Sequence, residues 1–126
     1  MLVAGLALPA TAAKPRSGSW SGETAQGYAI KFKVTTGTRN VRDVRVGFRA
    51  RCGRGPAIRG TTTFAGPFPV NRGRFRISGS DMRIRGKFVK RRKASGRLRW
   101  EGRSFSPSGS SRACDSGRVS WTAKRQ

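Results

Sequence analysis

Hydrophobic positions recur along this chain at every second residue, and no stretch repeats them at the helical spacing of three and four. The clearest case spans residues 82–100 (MRIRGKFVKRRKASGRLRW): Met82, Ile84, Gly86 and Phe88 alternate with Arg83, Arg85 and Lys87, and beyond a polar turn Gly96, Leu98 and Trp100 alternate with Arg97 and Arg99. Successive side chains of a strand point to opposite sides, so a period of two on both arms predicts a β-hairpin with one apolar and one cationic face. The apolar set is rich in the aromatic and β-branched residues that suit a half-buried pleated surface.

Weaker copies of the pattern fill the rest of the chain. Residues 28–35 place Tyr28, Ile30, Phe32 and Val34 on one side and Lys31 and Lys33 on the other. Residues 41–51 set Val44, Val46, Phe48 and Ala50 against Arg45, Arg49 and Arg51, and residues 74–80 set Phe75 and Ile77 against Arg74 and Arg76. A last strand over 118–124 turns Val119, Trp121 and Ala123 inward, and shorter strands are expected at 20–24 and 61–65. Gln26-Gly27, Thr36-Gly37-Thr38 and Asn71-Arg72-Gly73 read as turns, the runs 53–60 and 101–111 as loops, and Pro67 and Pro69 as marks of a sheet edge. About eight strands on short connections predict an all-β domain, an antiparallel β-sandwich, with a closed up-and-down β-barrel as the alternative that alternation does not separate.

Residues 1–13 (MLVAGLALPATAA) carry no charge, run apolar to Leu8, break at Pro9 and end in small side chains. That is the form of the end of a signal peptide, without its basic leading region, and cleavage is expected after Ala12 or Ala13. Residues 14–19 then read as a linker and 20–126 as one domain, secreted or extracytoplasmic; no segment has the ~20 apolar residues of a membrane span. Cys52 and Cys114 are the only cysteines, an even count in an exported chain, so a structural disulfide is expected rather than a pair of free or redox-active thiols.

Charge changes the picture most. Lys and Arg number 28 against five acids, a net charge of +23, and anions must therefore lie close to the surface. Arg outnumbers Lys about three to one, a bias a GC-rich genome also produces, but that bias does not account for the scarcity of carboxylates. Three Trp and seven Phe in register argue against a disordered basic chain.

Catalysis has little to draw on. With no His there is no ordinary general base, no Ser or Cys triad built on one, and few of the usual zinc ligands; no metal or cofactor is expected. Glu23 and Glu101 could meet in a folded sheet, but pairing with neighbouring Arg is the simpler role. The Gly-rich run at 53–60 lacks the strand-loop-helix setting of a phosphate loop. Trp20, Trp100, Trp121 and Tyr28 could stack on sugar rings, yet all four fall on the phase of Ile30, Phe88 and Leu98, which assigns them to the core and leaves Phe68 and Phe105 as the exposed aromatics.

Taken together, Gly18-Ser19-Trp20-Ser21-Gly22-Glu23-Thr24, Ile30-Lys31-Phe32-Lys33-Val34, Gly73-Arg74-Phe75, Ile84-Arg85-Gly86-Lys87-Phe88, Ala94-Ser95-Gly96-Arg97-Leu98 and Cys114-Asp115-Ser116-Gly117 before Trp121-Thr122-Ala123 resemble a family of small secreted actinobacterial β-domains of unknown function. The resemblance implies the fold and export, and no catalytic role. Two functions follow from the residues. One is a non-catalytic module binding an anionic polymer (a cell-envelope polymer, an acidic polysaccharide or extracellular nucleic acid) through Arg83, Arg85, Lys87, Arg91, Arg92, Arg97 and Arg99. The other is a structural or accessory envelope protein that binds a protein partner, its charge serving only solubility.

Overall fold

The structure is a computed structural model that describes residues 14–126; the expected signal-peptide end lies outside the described residues. Among the described residues ten strands form: β1 (Gly18–Thr24), β2 (Ala29–Val34), β3 (Asn40–Ala50), β4 (Ile58–Phe64), β5 (Phe68–Pro69), β6 (Arg74–Gly79), β7 (Met82–Lys90), β8 (Lys93–Phe105), β9 (Ser111–Asp115) and β10 (Val119–Arg125). All pairings are antiparallel, in the order β4-β3-β2-β1-β10-β8-β7-β6, with β5 added to β3 and β9 to β8. The two ends of that order, β4 and β6, are not paired with each other, so the sheet folds over on itself as a sandwich and the closed barrel is not formed.

Alternation decides which residues meet between the two halves. Trp20 of β1 lies edge-on to Phe88 of β7 at 5.1 Å, and Phe32 of β2 contacts Phe75 of β6 at 5.8 Å and Trp121 of β10 at 6.0 Å. A second contact, Phe48 of β3 stacked on Trp100 of β8 at 4.8 Å, closes the other end of the core. Ile30, Phe32, Val44, Val46, Phe48, Phe75, Ile77, Met82, Ile84, Phe88, Leu98, Trp100 and Trp121 are buried, as the period of two requires. Gly86 and Gly96 face each other across β7 and β8 beneath these rings. A Cβ on Gly96 would come within 2.6 Å of Trp121 Cζ2, and one on Gly86 would overlap the Phe75 ring, so only glycine lets the aromatics settle onto the hairpin.

Some expectations need correction. Tyr28 is not in the core: β2 starts at Ala29, and Tyr28 rests half-buried on the outer side of β3 over Gly47. Residues 101–111 are no loop, because β8 runs on to Phe105 and returns as β9, with a serine-rich turn between. Residues 58–60 belong to β4, and Phe68 is half-buried in β5 against Phe64. The segment read as a linker is docked: Arg16 donates its N–H to the Arg91 carbonyl at 2.8 Å, the Trp20 indole donates to the Arg16 carbonyl at 2.9 Å, and Gly18 and Ser19 already belong to β1.

Cys52 and Cys114 form a disulfide, 62 residues apart in sequence. Just past the end of β3, Arg51 and Asp115 exchange two backbone hydrogen bonds of 2.9 Å, so hydrogen bonds and disulfide together pin the end of β3 to β9.

Two measurements check this packing. Trp100→Ala should lose about 3 to 5 kcal/mol in a denaturant melt, as emptied aromatic sites do. Replacing both cysteines by Ala should cost about 2 to 4 kcal/mol through a less constrained unfolded chain.

Candidate anion-binding face

The cationic residues named from the sequence come together on the outer face of the β6–β7–β8 half. Arg83 stands opposite Arg99, Arg85 opposite Arg97, Lys87 opposite Ser95 and Lys90 opposite Lys93. On the other flank β6 sets Arg76 against Arg85 and Arg74 against Lys87. Directly opposed side chains on an antiparallel pair have Cβ atoms about 4.5 to 5.5 Å apart, so Arg76, Arg85 and Arg97 form one transverse row of like charge. Beside β8, β10 places Lys124 opposite Lys93, which extends a second row from Lys90. Arg83, Arg85, Arg97 and Arg99 are exposed and Lys87 is partly covered. Arg91 and Arg92 form the turn between β7 and β8; their carbonyls accept from Arg16 and Arg125, which fixes the backbone while the side chains stay exposed.

Arg99 differs from its neighbours. Its guanidinium donates Nε to Asp115 Oδ1 at 3.1 Å and Nη2 to Asp115 Oδ2 at 2.6 Å, and Glu101 lies 3.0 Å from Nε. The fork-to-carboxylate hydrogen bonds raise the Arg99 pKa above its ordinary value. The same bonds, with the Gly117 N–H donating to Asp115 Oδ1 at 2.7 Å, hold the Asp115 carboxyl below the usual range. Arg99 therefore already has its counter-charge, and the open cations of the face are Arg83, Arg85, Arg97, the turn arginines and the β6 pair. Among the described residues, ion pairs involve only Asp43, Glu101 and Asp115, and none of these pairs reaches Arg85 or Arg97.

The β6 arginines were legible as outward-facing but not as part of the site. The signal was in the chain: a two-residue turn at Ser80-Asp81, both in left-handed backbone, makes β6 and β7 a tight hairpin and so fixes Arg76 opposite Arg85.

A second feature went unread in the sequence, a shallow cleft of about 540 Å³ at the junction of β3 and β9, lined by Gln26, Tyr28, Arg49, Arg51, Asp115 and Gly117 among others. Glu23 and Glu101 are not brought together: Glu23 stands opposite Thr122 and Glu101 opposite Asp115. Among the described residues no group of three or more His, Cys, Asp or Glu side chains is placed to hold a metal ion.

Fold and face thus define an antiparallel β-sandwich with a cationic outer surface. No family model, no curated protein and no solved structure matches the chain.

Asp115 gives this region a pH signature. Its folded pKa lies below the unfolded value of about 3.9, so its contribution is complete above that pH and is lost as pH falls through the folded pKa. Urea melts across acid pH should show stability falling below about pH 4, and Asp115→Asn should flatten that part of the curve.

Proposed function

We propose that this chain is an exported, non-catalytic β-domain that holds an anionic polymer on the outer face of β6, β7 and β8. The observation that carries the reading is the register itself: Arg76, Arg85 and Arg97 stand directly opposite one another on three adjacent strands, with no ion-paired carboxylate among them. Like charges in that arrangement are unfavourable, and a polymer bearing phosphates or carboxylates relieves several of them at once. Simple counterions do so only at an entropic cost that a single polyanion avoids. Export is supported by the disulfide, a bond that persists in oxidising compartments. No helix among the described residues is long and apolar enough to cross a membrane. The Arg and Lys side chains meet phosphate or carboxylate as charges, and no helix among the described residues is present to enter a groove, so base-sequence preference is not expected.

Affinity for a polyanion should fall linearly with salt on a log-log plot, and for duplex DNA a site engaging about five charges should give a slope of roughly −4 to −5. Replacing Arg83, Arg85 and Arg97 with Ser should reduce the magnitude of that slope by about 2 to 3 while the fold persists. Unchanged affinity for every polyanion tried, together with salt-insensitive capture of one protein partner, would instead establish the accessory-protein role.

A further inference from the structure

The cleft at the β3–β9 junction is held more firmly than core packing requires. The Gln26 side chain acts as a surrogate strand: Nε2 donates to the Arg49 carbonyl at 2.9 Å and Oε1 accepts from the Arg49 N–H at 3.0 Å. Arg51, on the same outward side of the backbone, is fixed by its paired backbone bonds to Asp115, and the disulfide follows at the next residue. The two guanidinium stems therefore leave the backbone about 6.6 to 6.8 Å apart, both exposed.

Tyr28 lies beside them. It rests against Gly47, where a Cβ would come 3.0 Å from Tyr28 Cβ and 3.3 Å from Cγ, so the missing side chain gives the tyrosine its seat on the outer side of the sheet. Asp115, which stands opposite Arg51 in the backbone bridge, brings its carboxylate to the same cleft. Oδ1 accepts from Arg99 and Gly117 and Oδ2 from Arg99 alone, which leaves acceptor capacity on Oδ2. An aromatic plane, two forked cations and one neutralised carboxylate thus converge on a single concavity with a preorganised frame.

We propose that this cleft is a subsite for a pyranose ring bearing a carboxylate, a uronate residue of an acidic polysaccharide. The Tyr28 ring packs on the C–H face of the sugar, Arg49 and Arg51 bind its carboxylate, and Asp115 accepts from a ring hydroxyl. A phosphodiester chain uses only the cations, whereas the tyrosine and the acceptor are of use to a sugar. The inference deepens the polyanion reading and rests on it for overall affinity, while the cleft sets the choice of polymer. Single-stranded nucleic acid, which also stacks on aromatics, is the competing occupant.

The test titrates oligogalacturonate and an oligothymidylate of equal charge into the wild type, Tyr28→Ala and the Arg83, Arg85, Arg97→Ser variant. Tyr28→Ala should weaken oligogalacturonate by about tenfold and leave the oligothymidylate unchanged. In the wild type, saturating oligogalacturonate should shift the Tyr28 ring resonances by NMR, a readout that holds even if Tyr28→Ala fails to fold. Equal weakening of both ligands would assign the cleft to nucleic acid. Loss of binding only in the hairpin variant, with Tyr28 resonances unmoved, would overturn the sugar subsite and leave the polyanion reading standing. No binding of either ligand by the wild type would overturn both.

Discussion

An antiparallel ladder with one buried face has no freedom of register, because a shift of one residue would exchange its apolar and charged sets. That constraint governs this molecule. Once Ile84, Phe88, Leu98 and Trp100 are committed to the interior, Arg83, Arg85, Arg97 and Arg99 must face out, and the pairing of β7 with β8 then sets them opposite one another. The glycine pair Gly86 and Gly96 makes the commitment tight, since Phe75 and Trp121 occupy the space that side chains would need. The cationic rows are thus the reverse side of the core.

The same geometry sets core stability against surface repulsion. Burial of the aromatic cluster favours the sandwich, while rows of like charge oppose it by amounts that are small per pair and add across the face. Where a carboxylate is available, the structure uses it locally: Asp115 and Glu101 gather around Arg99 at the boundary between the hairpin face and the β3–β9 junction. On the outer face of β6, β7 and β8 beyond that boundary, the cations stand without ion pairs among the described residues; the remaining pairs, Lys33 and Arg42 with Asp43, lie on β2 and β3. A surface of this kind gains stability from any anion that binds the native state and not the unfolded chain.

Much of the fold was legible because burial and period coincide. On the arms Met82 to Phe88 and Ala94 to Trp100 alternate residues are buried, Gly96 only partly, and the sequence reading of both arms agrees with their register. It failed where a strand has no buried face. Residues Gly102 to Phe105 extend β8 past the core and return through β9, held by backbone pairing and the disulfide, so no apolar alternation announces them. Tyr28 failed for a different reason: alternation extrapolates one residue beyond the start of β2, where the chain turns and Gly47 offers the ring a seat outside. The candidate face was read as one hairpin, and its extension by β6 and β10 depends on pairings that only the folded chain displays.

If the cationic rows store repulsion in the folded state, the dependence of unfolding temperature on simple salt reports it directly. The wild-type protein, melted in rising sodium chloride without any polymer, should gain stability steeply from low ionic strength and level off once the screening length falls to about 8 to 10 Å. A melting temperature that is flat or falls over that range would contradict the account, since the rows would then cost the folded state nothing for a polyanion to relieve.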